Sequence, residues 1–202
     1  VALKMAERAF ELVDRLAGNN RYFLLALDIT NNCNLRCPFC LNDFSKNSKT
    51  VFMTESTYKK ALSLLLLVKY QFLFSCQFEP ILHPQFTEFL QMIPWRYKSK
   101  TFFTTNLTIP LSDEIIHRLC RSGISHINIS LESFRPDIYE SLRKGGRFGI
   151  FMDNLQRLVH VFSKDKSAPF LRYITMVLRQ NVEEIPDIVE KCSVRYLSSC
   201  NE

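Results

Sequence analysis

The sequence predicts an α/β protein built as a parallel sheet flanked by helices. Short apolar runs rich in β-branched and aromatic residues alternate with longer stretches of helical periodicity, and that alternation is the signature of strand and helix units joined in series. The polar residues with the most chemistry in them stand at the ends of the first four expected strands: CNLRCPFC at 33–40, QFEP at 77–80, TTN at 104–106 and SLES at 130–133. Parallel α/β folds gather ligand residues at that carboxyl edge, so the four segments are expected to build one site.

The opening stretch VALKMAERAFELVDRLAG carries charges at helical spacing, with Gly18 and Asn19 as a stop signal, so 1–19 is expected to be an amphipathic helix. YFLLALDIT at 22–30 reads as the first strand. Thr54 is the expected N-cap of the helix TESTYKKALSLLLLVKY, with Thr57 where a full capping box carries Glu or Gln. QFLFSCQF at 71–78 is the second strand. Pro84 starts the helix PQFTEFLQMI, because proline suits the first helical turn. KTFFTTNL at 100–107 is the third strand, and the helix SDEIIHRLCRSG after it is capped by Ser112 and closed by Gly123. HINISLES at 126–133 is the fourth strand. RPDIYESLRKGG and FGIFMDNLQRLVHVFSKD are helical, PFLRYITMVLRQ at 169–180 is the fifth strand, and VEEIPDIVEKC returns to helix. No repeat, low-complexity segment or linker divides 20–202.

A chain of 202 residues that is 47% hydrophobic can bury one substantial core. It reads as globular and soluble. Its longest apolar run, ALSLLLLV at 61–68, falls well short of the roughly 20 residues that cross a bilayer, so no membrane partner is expected. The charged N-terminus is unlike a signal peptide, and seven cysteines, an odd number with three of them clustered, fit a reducing compartment. The cytoplasm is the expected location. The formal charge of +6 is scattered, without the basic block or aromatic ladder of single-strand binders, so no nucleic-acid partner is expected. That charge is a solvated surface, or else it attracts an anionic substrate or an acidic redox partner over long range.

Cys33, Cys37 and Cys40 are the strongest chemical signal. Structural zinc takes four protein ligands, often as two knuckles, and no second CxxC or HxxxH pair exists here. A distant ligand would have to come from Cys76, Cys120, Cys192 or Cys200, all in expected strands or helices, where a free cysteine behaves as a small hydrophobe. A 4Fe-4S cluster instead needs one ligand per iron, and three thiolates leave one iron open to a ligand from outside the protein. Both readings stand on the residues.

The spacing CNLRCPFC, with an aromatic residue just before the last cysteine, resembles the signature of the radical S-adenosylmethionine enzymes, and the order of strand-end motifs extends the resemblance over roughly 22–190. The resemblance implies a partial (β/α)6 TIM-type barrel of parallel strands with outer helices. It implies that Cys33, Cys37 and Cys40 hold a 4Fe-4S cluster whose open iron takes the amino and carboxylate groups of S-adenosylmethionine. Phe39 would then lie near the adenine. QFEP stands where the family has a GGE(P) segment that helps receive the methionine amine. Glu79 and Pro80 keep their places there, while Gln77 and Phe78 replace the glycines. Asn106 in TTNLT matches a TTNG segment with Leu107 in place of glycine; Ser130 in ISLES matches a serine reaching the methionine or ribose part, with Glu132 where Asp is usual. Arg143 matches a basic residue that pairs with the methionine carboxylate.

By the same resemblance the activity is reductive cleavage of S-adenosylmethionine followed by hydrogen abstraction from a peptide or small-molecule substrate, with a flavodoxin or ferredoxin type one-electron donor as partner. The motifs look most like the branch of peptide maturases and molybdopterin-type cofactor synthases. Many of its members carry further clusters in a C-terminal extension, so 20–202 is expected to be a core domain that is C-terminally incomplete, stopping before the sixth strand. Two alternatives accompany this reading: a cluster-binding module without turnover, and a zinc-binding structural domain.

Overall fold

The structure, a computed structural model, describes residues 22–42, 49–75 and 77–198, with side chains as far as 192. The helix expected over 1–19, together with Cys76 and Cys200, lies outside the described residues. Strands β1 (Tyr22–Leu27), β2 (Val68–Phe74), β3 (Thr101–Thr105), β4 (His126–Ser130) and β5 (Phe170–Ile174) form one sheet in the order β1-β2-β3-β4-β5, every neighbouring pair parallel. Consecutive order means that every crossover advances in one direction and covers one face, whereas a doubly wound sheet reverses and covers both. The architecture is therefore an open, partial barrel of the TIM type.

Seven helices stand among the described residues: α1 (Glu55–Leu62), α2 (Phe86–Met92), α3 (Trp95–Lys98), α4 (Asp113–Cys120), α5 (Pro136–Leu142), α6 (Phe148–Phe162) and α7 (Ile185–Ser198). Side chains alternate across a strand, and the outward set, Phe72, Phe74, Phe103, Ile127 and Ile129, is fully buried among helix residues such as Phe89, Ile116, Phe151 and Leu155. The opposite, inner set is Leu73 and Phe102 on β2 and β3, then Thr104, Asn128, Ser130 and Arg172, so it becomes polar from the middle of β3 onward. No helix among the described residues is long and apolar enough to cross a membrane.

The expected caps form. Thr54 Oγ1 accepts from Thr57 N at 3.3 Å, Ser112 Oγ accepts from Ile115 N at 3.3 Å, and Gly123 takes the left-handed φ of +71° past α4. Several boundaries differ from expectation. The first long helix ends at Leu62, passes through a 3-10 turn at Ser63–Leu67, and gives Val68, Lys69 and Tyr70 to β2. Strand pairing reaches back to Tyr22↔Val68, and those ladder bonds outweigh the helical propensity of a leucine run. Ser75, at φ +100°, then turns the chain out of the sheet before the expected end at 78.

Pro84 precedes the helix it was expected to start, since Gln85 is the N-cap of α2, and Pro94 separates that helix from α3. The fifth strand is five residues rather than twelve because its partner β4 ends at Ser130. Leu131 N donates to Ile174 O as the last backbone bond between the two strands, and β5 has no further ladder to follow.

The outer core centres on aromatic stacking. Tyr58 and Phe89 lie parallel with centroids 4.3 Å apart, both without solvent exposure, and Tyr58 donates its hydroxyl to Phe89 O at 3.0 Å. Removing a ring from such a site leaves a cavity as well as lost transfer energy. Phe89→Ala is expected to destabilise the fold by about 3–5 kcal/mol, read as a lowered midpoint in urea denaturation followed by circular dichroism.

Candidate functional site

The cysteine loop leaves the end of β1 and is pinned from three sides. On the first, Asn31 N and Thr30 Oγ1 donate to Val51 O, and Val51 N donates back to Asn31 Oδ1 at 2.7 Å, tying the two ends of the loop together. On the second, Glu79 N donates to Asn32 O and Asn42 Nδ2 donates to Gln77 O at 2.8 Å, which joins the loop to the end of β2. On the third, Arg36 N donates to Lys144 O at 2.8 Å. The two glycines after Lys144 make that approach possible. Gly145 has φ +94° and a Cβ there would stand 3.2 Å from Asn34 O, while a Cβ on Gly146 would stand 3.2 Å from Thr108 Cγ2.

Each of the three sulfurs receives an N–H. Leu35 N and Asn106 Nδ2 donate to Cys33 Sγ at 3.4 and 3.6 Å, Arg143 Nη1 to Cys37 Sγ at 3.7 Å, and Asn42 N to Cys40 Sγ at 3.4 Å. Such donors favour the thiolate and are the outer-shell contacts that tune cluster and metal sites. Burial works the other way: it pushes the Cys33 thiol up to about 11 and raises Cys37 as well, the latter opposed by the Arg143 charge. A metal that binds must displace a proton from both.

The donor set is of the kind a cluster takes: three thiols on one short loop, each accepting an N–H. Cys120, in the last turn of α4, lies at the far edge of the sheet with its Sγ 3.9 Å from Asp165 Oδ2, and Cys192 is about two turns into α7.

The other expected site residues converge on this loop. Asn106, just past β3, is a hub: its N donates to Glu79 Oε2 at 2.8 Å, its Nδ2 to Asn34 Oδ1 at 2.9 Å, and its Oδ1 accepts from Thr108 N and Oγ1. Leu107 holds the left-handed φ of +57° that a glycine would favour; its side chain is buried, and that burial offsets the backbone strain. Phe39 packs its ring 5.3 Å from the Arg143 guanidinium carbon. Ser130 closes β4 on the inner face.

Three of the expected site residues, Arg143, Glu132 and Glu79, have partners within the protein. The Arg143 guanidinium forks onto Glu132, Nε to Oε2 and Nη2 to Oε1 at 2.6 Å, with Glu132 fully buried, so the edge left for anything else is Nη1 beside Cys37. Glu79 caps the 3-10 turn Pro80–Leu82 and accepts from Ile81 N, Thr105 Oγ1 and Asn106 N. Burial pushes its carboxyl up to about 7 against the pull of those donors. His83 is a turn residue, its ring between Met53 O and Gln85 N.

The residues missed in the sequence are mostly amides and one acid. Asp28 Oδ1 accepts from Ser75 Oγ, Gln77 N and Phe78 N, so an aspartate holds the segment that stands in place of two glycines. The carbonyls of Gln77 and Phe78 accept from Asn42 Nδ2 and Ser75 Oγ. The asparagine density of NNCN and the lone acid after an apolar strand were the available signals.

With this geometry in place, the comparison with known proteins is decisive, because the family profile described as the Radical SAM superfamily matches residues 27–192. The chain belongs to that superfamily. It is 24% identical over 176 residues to a probable GTP 3',8-cyclase of Methanocaldococcus jannaschii, covering 83% of this chain and 54% of that protein. It is 26% identical over 167 residues to a PqqA peptide cyclase of Rhodopseudomonas palustris, covering 81% of this chain and 42% of that protein. This superfamily member thus spans about half the length of the curated relatives it matches. Streptococcus suis SuiB, solved with S-adenosylmethionine bound, shares the fold with a TM-score of 0.62 at 21% identity, covering 96% of this chain and 44% of SuiB.

Two measurements test the site. Glu132→Ala leaves the mostly buried Arg143 charge without its partner and is expected to cost about 3–5 kcal/mol in urea denaturation, with Glu132→Ala/Arg143→Met losing less. For Glu79, the folded carboxyl lies above its ordinary 4.5, so its contribution to stability is fully present below pH 4.5 and is lost as pH rises through about 7. Stability curves of wild type and Glu79→Gln are expected to diverge by up to about 3 kcal/mol across that window, with the wild type losing relative stability as pH rises.

Proposed function

We propose that this chain is the catalytic core of a radical S-adenosylmethionine enzyme, with a 4Fe-4S cluster held by Cys33, Cys37 and Cys40. The observation that carries the reading is the three sulfurs, each with its own N–H donor, on one short loop at the carboxyl edge of the sheet. A 4Fe-4S cluster held by these cysteines would supply the electron for reductive cleavage of S-adenosylmethionine, the chemistry that would start hydrogen abstraction from a substrate.

The chain's own residues hold and shield that chemistry. Arg143, oriented by Glu132, sets a fixed positive charge beside Cys37 and its Nη1 edge toward the methionine carboxylate. Asn106 orients the Cys33 side of the loop, and Ser130 on the neighbouring strand borders the methionine or ribose part. Phe39 offers a ring face to the adenine. Glu79 acts by fixing the backbone between β2 and β3, in the segment that stands where the methionine amine is received. Leu35, buried under the loop, keeps water from its inner side. Cys40 is at the solvent-exposed end, the approach for a flavodoxin or ferredoxin type one-electron donor.

Relatives named for cyclising GTP and a peptide support a cofactor precursor or a peptide as substrate. Anaerobic reconstitution with iron and sulfide, then dithionite and S-adenosylmethionine, is expected to yield 5'-deoxyadenosine by mass spectrometry. The Cys33→Ala/Cys37→Ala/Cys40→Ala variant is expected to yield none. A full iron complement without product would reduce the chain to a cluster-binding module, and a protein that takes up zinc alone would overturn the cluster.

A further inference from the structure

The inner face of the sheet carries a row of hydrogen-bonded polar side chains that the chemistry above does not use. Thr104, Asn128 and Arg172 are direct neighbours across β3, β4 and β5. Asn128 is buried, at 2% exposure; its Nδ2 donates to Thr104 Oγ1 at 3.2 Å, and its Oδ1 accepts from Arg172 Nε at 2.7 Å. Burying an amide in a sheet costs free energy unless both of its ends are bonded, and here both are, with the result that one guanidinium is held in place.

Arg172 itself is exposed. Arg118, Arg135, Arg143 and Arg157 each face a carboxylate, whereas no carboxylate lies within ion-pair distance of Arg172 among the described residues. A neutral amide orients it through Nε, which leaves its charge uncompensated and both Nη groups without a partner among the described residues. The guanidinium carbon stands 5.8 Å from the centroid of Phe102, and the other flank of that environment is His126, stacked on Phe102 at 4.5 Å. His126 Nε2 is buried and likewise has no partner among the described residues. Burial, and then the Arg172 charge, hold that imidazole below its ordinary range, so it is neutral near pH 7 and repels the arginine no further.

Position gives the row its meaning. Asn128 and Arg172 lie on the same face as Ser130, one rung below it, about 7 Å down the strands from the edge where the cysteine loop sits. We propose that Arg172, fixed by Asn128 on the inner face of the sheet, recognises an oxyanion of the substrate, a carboxylate or a phosphate. The planar fork suits either group bidentately, and orientation through Nε means little rotamer freedom is lost on binding. Naming the anion as part of the substrate rests on the radical reading; the anion site itself does not.

The test uses the purified chain without iron or S-adenosylmethionine, 15N-labelled and titrated separately with inorganic tripolyphosphate and with glutarate, following the Arg172 Nε–H resonance in the wild type and the Asn128 side-chain amide resonance in the wild type and in each variant. One probe is expected to shift these resonances saturably. Arg172→Gln is expected to weaken the binding by about tenfold or more, and Arg172→Lys to retain part of it, because lysine keeps charge but loses the fork. A response to tripolyphosphate alone assigns a phosphorylated substrate; a response to glutarate alone assigns a carboxylate, as on an acidic peptide. Unchanged affinity in Arg172→Gln, or no shift with either probe, overturns the proposal. Should Arg172→Gln fail to fold by circular dichroism, the wild-type resonances and Arg172→Lys decide. Saturable binding in a chain that makes no 5'-deoxyadenosine would keep the anion site and sink only the radical reading.

Discussion

Glu132 has no access to water, and a carboxylate in that position must be paired and hydrogen-bonded or it forces the fold apart. Its pairing with Arg143 is the constraint on which the arrangement of the site depends. The fork holds the end of β4 to the segment after α5, and it aims the remaining guanidinium edge at Cys37. The chain after Arg143 then has to pass against the cysteine loop, and only glycine tolerates the backbone it adopts there at 145. Asn181 supports the same point from the far side, donating from Nδ2 to Glu132 O and Met176 O. Glu184 accepts from Ser133 Oγ and Phe134 N.

Around that pair the site is stitched together by side-chain amides and by acids that accept several bonds each. Asn34, Asn106 and Thr108 form a closed set of short bonds between the cysteine loop and the end of β3, and Asp28 does the corresponding work for the turn after β2. The neutral amides fix geometry beside three cysteines without adding negative charge there. The same device recurs lower on the inner face, where Asn128 orients Arg172 without neutralising it.

The barrel-like order of the strands and the convergence of four strand-end motifs were legible in the sequence, since periodicity and the position of polar residues after apolar runs report directly on a parallel sheet. The residues Cys33, Cys37, Cys40, Phe39, Asn106, Glu132 and Arg143 do come together. Strand lengths were not legible, because a strand ends where its neighbour ends: β5 stops at Ile174 for lack of ladder, although the apolar run Met176–Val177–Leu178 follows one residue later. The contacts of Glu79 and Arg143 were not legible either, since a carboxylate and a guanidinium read alike whether they face a ligand or one another.

By itself the sequence determined which residue types were available and on which side of each strand they fall, because side-chain alternation and capping are local properties of the chain. It determined the three thiols and their spacing for the same reason. Tertiary structure alone decided which groups are spent on holding the site and which stay free to act. Glu132 and Arg143 are eleven residues apart, Cys37 and Arg143 one hundred and six, and whether a buried charge is neutralised depends on neighbours brought in from that distance. Pairing left Arg143 one open edge and left Arg172 its whole charge, and no local pattern distinguishes those two arginines.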